Sequence, residues 1–200
     1  MILLKSNVQN IFWLGRYLTR IQYLCAQFPF QVDEEAAQYA HAFALNAEDA
    51  IELNELMLDP TQVASFSYQF ECAKNNIQDL RAVLSAVNYA ELSLLIKNAN
   101  ENRGYICDVA SECQDILETE SETIFLFFSL GQGIEELDRQ LRLQQDETTT
   151  LAKVGHIVSS LEHLGWSDLE QTWAQLQQVP NNTNFFHFYD SIQQIFEADT

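Results

Sequence analysis

Glycine and proline are scarce in this 200-residue chain, at six and three residues. Sandwiches, barrels and βαβ folds need many tight turns made from those residues, so their scarcity turns the reading toward long helices. Basic residues are scarce too. Ten lysines and arginines against 29 acids give a formal net charge of -19. The field of such a chain repels polyanions, so no nucleic acid and no anionic membrane surface is expected as a partner. No apolar run reaches the roughly 20 residues that span a bilayer. Nor does the N-terminus read as a charged segment followed by an apolar stretch and a cleavage site.

Metal and nucleophile signals are lacking as well. Of the four cysteines, the nearest pair, Cys107 and Cys113, is spaced C-x5-C, which is neither a zinc knuckle nor a redox motif. Cys25 and Cys72 fall in apolar periodic segments and read as small core residues. The expected compartment is a reducing cytoplasm. None of His41, His156, His163 and His187 has a glutamate three residues before it, which excludes a di-iron carboxylate bundle. His156 and His163 share a helix face but lack the i, i+4 spacing of a zinc pair. There is no G-x-S-x-G and no Walker A sequence, and Gly131-x-Gly133 is too short for a dinucleotide loop. No metal and no cofactor are expected.

What is present suits a packed helical core. The hydrophobic fraction is 47%, with thirteen phenylalanines, and the length suits one domain over 1–200. Apolar residues at helical spacing mark helices over 7–28, 33–58, 66–99, 103–117, 119–145, 150–164 and 185–196, with the 66–99 stretch either one helix or two joined near Asn88. Asp33 is the expected N-cap of the second helix. Asp59-Pro60-Thr61 breaks the pattern, and 98–102 reads as a turn. Thr119-x-x-Glu122 and Ser167-x-x-Glu170 match capping boxes. Gly165 stops one helix, and Pro180-Asn181-Asn182-Thr183-Asn184 is a linker before a candidate C-terminal appendage over 180–200. The expected fold is all-α, an antiparallel helical bundle of about six to eight helices.

Two arginines stand out. Arg16 and Arg20 lie one turn apart on one face, while Ile11, Phe12, Leu14, Leu18, Ile21, Leu24 and Cys25 cover most of the remaining circumference. Such a helix is buried, and a buried arginine needs an acid or several carbonyls around it. A second signal is internal. Phe12-Trp13-Leu14-Gly15-Arg16-Tyr17-Leu18 can be laid over Phe128-Ser129-Leu130-Gly131-Gln132-Gly133-Ile134. Glycine inside a helix costs about 1 kcal/mol relative to alanine. Its repetition in one context suggests two helices that cross closely at Gly15 and Gly131.

Asn10-Ile11-Phe12-Trp13-Leu14-Gly15-Arg16-Tyr17-Leu18-x-Arg20 resembles the opening signature of the bacterial alpha-E family. Ala73 to Ser85, which includes Arg81, resembles a second stretch of that family, and Leu130-Gly131-Gln132-Gly133-Ile134-Glu135-Glu136-Leu137-Asp138 a third. The resemblance spans roughly 7–143. It carries over Arg16, Arg20, Arg81, Ser85, Glu135 and Asp138 as a candidate ligand or ion-pair network. Thr19 stands where the family has glutamate, and Gln132 and Glu136 stand where it has arginines. An activity built on those charges would be lost here. Alpha-E proteins are encoded beside ATP-grasp ligase-like and transglutaminase-like proteins. The resemblance therefore implies an accessory or interaction protein, with an ATP-grasp ligase-like partner, in a peptide-forming or peptide-modifying system.

Two readings of the arginines remain open. In one, Arg16 and Arg20 lie on a stripe with Gln9, Trp13, Tyr23 and Gln27, and Trp13, Tyr17 and Tyr23 line a pocket. An enzyme would bind an acidic or acyl-phosphate substrate there. In the other, the arginines pair internally with Glu135 and Asp138 and set the register of the bundle. The aromatic run Phe185-Phe186-His187-Phe188-Tyr189 either closes the core or docks a partner, a second copy of the chain being one candidate for a homo-oligomer.

Overall fold

The computed structural model describes residues 3–101 and 103–197. Among these it forms ten α-helices and no strand. They are α1 (Lys5–Gln27), α2 (Asp33–Ala42), α3 (Ala50–Leu58), α4 (Phe66–Asp79), α5 (Ala86–Glu101), α6 (Ile106–Leu117), α7 (Glu122–Arg142), α8 (Thr148–His163), α9 (Glu170–Gln178) and α10 (Asn182–Phe196). Short 3₁₀ turns precede α5, α6 and α9.

The count exceeds the expected six to eight because two of the long apolar stretches are divided and α9 forms a further short helix after Ser167. The 33–58 stretch breaks after α2, where Ala44 takes a left-handed conformation at φ 53°. Asp49 then caps α3 by accepting from Glu52 N. Asp33 does not cap its own helix. It is the first residue of α2, and its carboxylate accepts from Ala50 N of α3 at 3.1 Å. The 66–99 stretch divides before Ser85, whose hydroxyl accepts from Asn88 N, and α5 runs past the expected turn to Glu101; Asn102 lies outside the described residues. Neither capping box supplies the expected side-chain cap. Ser121 is the N-cap of α7, and Thr119 instead donates to Ile116 O. Leu169 is the N-cap of α9. Gly165, at φ 94°, ends α8 as expected.

The centre of the molecule is the pair α1 and α7, each buried on most of its circumference. They meet at their glycines. A Cβ on Gly15 would lie 2.2 Å from the Phe128 carbonyl oxygen, and one on Gly131 would lie 2.0 Å from that of Phe12. The contact is reciprocal, since each glycine faces the residue three before the other. The register also rises together along both helices, from Phe12–Gly131 through Arg16–Glu135 to Tyr23–Arg139. The central pair is therefore parallel, which corrects the antiparallel expectation. Two like motifs that each need the other's groove are served by a parallel, two-fold-like crossing. The flanking helices do run antiparallel to α1. On α4, Gln69 meets Arg20 and Phe66 meets Phe28. On α6, Cys107 meets Cys25, and Gln114, further on, shares a cleft lining with Thr19, further back.

The contact of Cys25 with Cys107 is a disulfide, not the packed thiol expected of Cys25. Cys72 and Cys113 are free. Around the seam lies the main core, built from α1 and α4 to α10. The 180–200 segment belongs to it through its described part. Phe185, Phe188 and Ile192 of α10 are buried among the residues of α1, α7 and α9. A smaller second cluster joins the end of α1 to α2 and α3, with Leu24, Phe30, Tyr39, Leu53 and Met57 at its centre. No helix among the described residues is long and apolar enough to cross a membrane.

Candidate functional site

The parallel register places Arg16 and Arg20 against the second half of α7. Arg16 Nε donates to Glu135 Oε2 at 2.9 Å, and one of its terminal nitrogens reaches Asp138 Oδ2 at 3.3 Å. Arg20 grips both oxygens of Glu135, one of them at 2.8 Å through a terminal nitrogen, and donates to Gln69 Oε1 at 3.2 Å. Arg142, one turn beyond Asp138 on α7, donates to Asp138 Oδ1 at 2.6 Å and to the Ala42 carbonyl at 3.0 Å. Three guanidinium groups thus face two carboxylates. Arg16, Glu135 and Asp138 are 6%, 5% and 9% exposed, so the network is internal.

Burial pushes the Glu135 carboxyl up, but Arg20 and Arg16 pull it down further, and it rests below the ordinary carboxylate range. Burial also opposes the Arg20 charge, and Glu135 outweighs it, holding the guanidinium even more firmly protonated than usual. Glu135 and Arg20 thus hold each other in their charged forms. The aromatic residues of the stripe add to this. The Arg16 guanidinium lies 5.0 Å from the Trp13 ring and 5.2 Å from that of Tyr189, a cation–π arrangement. Tyr17 stacks on Trp13, and burial raises its hydroxyl to about 12.

Arg81 and Ser85 are elsewhere. Both are exposed, near the start of α5. The Arg81 guanidinium sits 5.9 Å from the Tyr89 ring, and the Ser85 amide donates to Glu120. Residues absent from the sequence reading join the network instead. Arg142 was legible, since it lies four residues after Asp138 on one helix. Gln69 carried no signal of its own.

Beside the network, on the side of α2 and α8, a cleft of about 340 Å³ opens. Tyr23 and Tyr39 form one wall, their rings stacked at 6.0 Å. Burial pushes the Tyr39 hydroxyl well above its ordinary range. Arg139 lies across Tyr23 at 4.2 Å, and Lys153 of α8 also lines the space. All three departures from the alpha-E pattern, Thr19, Gln132 and Glu136, line this same cleft.

No family model matches the chain, and no curated protein and no solved structure is detectably similar to it. The likeness to alpha-E proteins therefore rests on its three motifs. Among the described residues, no group of histidine, cysteine and carboxylate side chains is arranged to hold a metal ion.

Proposed function

We propose that this protein is an accessory or interaction component resembling alpha-E proteins, acting beside an ATP-grasp ligase-like partner in a peptide-forming or peptide-modifying system. One observation carries the non-catalytic half of this reading. Arg16 and Arg20 are neutralised by Glu135 and Asp138 inside the bundle. Cations paired in this way set helix register, and a substrate carboxylate would compete with Glu135 and Asp138 for them. The alternative, an enzyme holding an acidic or acyl-phosphate substrate at Arg16 and Arg20, would place a further anion beside Glu135 and Asp138, which those arginines already face. The uncharged Thr19 and Gln132 and the acidic Glu136, at positions where the family carries the opposite or a different character, also support a scaffold that has lost a charged site.

A partner that handles ATP implies a cytoplasmic protein. The Cys25–Cys107 disulfide pulls the other way, since structural disulfides persist mainly in oxidising compartments. The test is co-expression of the tagged chain with an ATP-grasp ligase-like protein from the same genome. A complex that survives size-exclusion chromatography is expected. Elution of the two proteins separately, at concentrations well above micromolar, rejects the reading.

A further inference from the structure

We propose that the cleft between α1, α2, α7 and α8 binds a small carboxylate that also carries an N–H donor, such as an N-acyl amino acid or the last residue of a peptide. The inference does not rest on the interaction reading, and failure to find a protein partner leaves it standing.

The argument begins with where the positive charge lies. Of ten basic residues in the chain, Arg16, Arg20, Arg139, Arg142 and Lys153 gather along α1, α7 and α8. Three of those five groups are consumed by Glu135 and Asp138. Arg139 and Lys153 are not. Arg139 makes a loose, 3.9 Å surface ion pair with Glu136, sits 4.2 Å from the Tyr23 ring centroid and donates to Gln145 at 2.7 Å. Lys153 is exposed and has no hydrogen bond or ion pair among the described residues. A carboxylate entering the cleft would meet both cations against a partly enclosed wall, where a charge-assisted hydrogen bond is stronger than in open water.

The second observation is an unmet acceptor. Gln114, on the α6 side of the cleft, donates through its nitrogen to Glu118, while its amide oxygen is buried without a partner. The Thr19 hydroxyl, in the same lining, is also unpartnered. Buried polar atoms without partners are few in folded proteins, and these two lie on side chains at the cleft wall. A ligand N–H meets the need of Gln114 once its amide rotates toward the cleft. The third observation is size and surface. The stacked rings of Tyr23 and Tyr39, with Phe43 packed at 4.6 Å from Tyr39, offer an apolar wall. The volume is in the range of small-ligand clefts. The requirements together describe an amino-acid-sized anion with an amide, not a bare inorganic ion.

The probes are N-acetyltyrosine, its methyl ester, the tripeptide glycylglycyltyrosine and inorganic phosphate, each titrated into ¹⁵N-labelled protein. Saturable shifts of α1 and α7 amides around Tyr23 and Arg139 are expected with N-acetyltyrosine or the tripeptide; which of them binds tighter separates a free small molecule from a peptide end. The ester should bind about tenfold more weakly, the loss of one charge-assisted hydrogen bond, and Lys153→Ala should do the same for the acid. Lys153 is exposed, so this variant keeps the fold, and its unchanged spectrum outside the cleft verifies that. Absence of binding by both acids overturns the proposal. So does equal affinity for acid and ester, unchanged affinity in Lys153→Ala, or phosphate binding as tightly as the acids.

Discussion

The molecule holds its two cores together by different means. The α1–α7 seam joins helices whose ion-paired residues are 119 apart in sequence, and it does so with backbone contact at two glycines and charges locked inside. The α2–α3 cluster is local and mostly aromatic and aliphatic. Tyr39 packs on Tyr23, Phe30 and Phe43. Its polar fastenings are a clamp, in which Asn54 both accepts from Phe30 N and donates to Phe30 O, at 2.9 Å each, and the Asp33 carboxylate accepting from Ala50 N. Buried ion pairs that break are penalised far more than they stabilise when intact, so the seam tolerates one arrangement. Apolar clusters are penalised in proportion to what is removed. The seam should therefore behave as the cooperative unit of the fold, and the small cluster as a part that opens by itself.

The largest effect is expected from breaking the seam's charges. Glu135→Ala leaves two arginines without their shared acid and should cost about 3–5 kcal/mol by urea denaturation. The pH dependence follows from the lowered Glu135 carboxyl. Its contribution is fully present above the ordinary carboxylate value near 4.3 and is lost as the pH falls through its lower folded value. Stability should thus be level toward neutral pH and fall below about pH 4.5. In Glu135→Gln that part of the acid decline should be missing, while the contributions of Asp59 and Asp146, whose carboxyls are also lowered, remain. Equal acid slopes in parent and variant would place the pair outside the stabilising network.

Next in size is the covalent tie between α1 and α6. Cys25 and Cys107 close a loop of 82 residues. Cys25→Ser should cost about 2–4 kcal/mol relative to oxidised parent. Alkylation under denaturing conditions without reductant should label two cysteines per chain, Cys72 and Cys113; four labels would mean that the pair is held as thiols.

Filling the glycine crossing comes third. Gly131→Ala places a methyl group against the Phe12 carbonyl, and overpacking of this kind costs about 1–3 kcal/mol, partly offset by alanine's better helix propensity of about 1 kcal/mol. Stabilisation by Gly131→Ala would contradict the close crossing. Leu53→Ala, in the small cluster, sharpens the comparison from the other side. Its loss should appear in hydrogen exchange as faster opening of α2 and α3, with the α1 and α7 amides unchanged. Uniform acceleration across all helices would merge the two cores into one. The smallest effects belong to the residues that the seam does not gather. Ser85→Ala should cost about 1 kcal/mol as a lost helix cap, and Arg81→Ala should stay within about 0.5 kcal/mol.

The seam was legible because its signals are strong and one-sided. Two arginines on an all-round apolar helix need acids, and Leu-Gly repeated between apolar neighbours needs a close partner. What could not be read was direction. Periodicity tells which face of a helix is buried and nothing about whether the neighbour runs parallel, and the five intervening helices allow either. Boundaries failed where a polar side chain decided them at long range. Asp33 looks like a local cap in sequence, yet its carboxylate serves Ala50. Ser85 ends one helix pattern and starts another without glycine or proline to mark the place. The disulfide escaped for the same reason, since a spacing of 82 residues resembles no motif.

The distance between the seam's halves has a consequence for the chain as it is made. Arg16 and its acid Glu135 are 119 positions apart. At about 5–20 residues per second, α1 waits roughly 6–24 s on the ribosome before α7 emerges. During that interval α1 exposes an apolar circumference interrupted by two unpaired cations, and its notch at Gly15 has nothing to fill it. The helices made in between can collapse locally, but the seam cannot close until most of the protein has been synthesised. Its biogenesis is therefore the stage at which it is most exposed to chaperones, to proteases and to the α7 of a neighbouring copy.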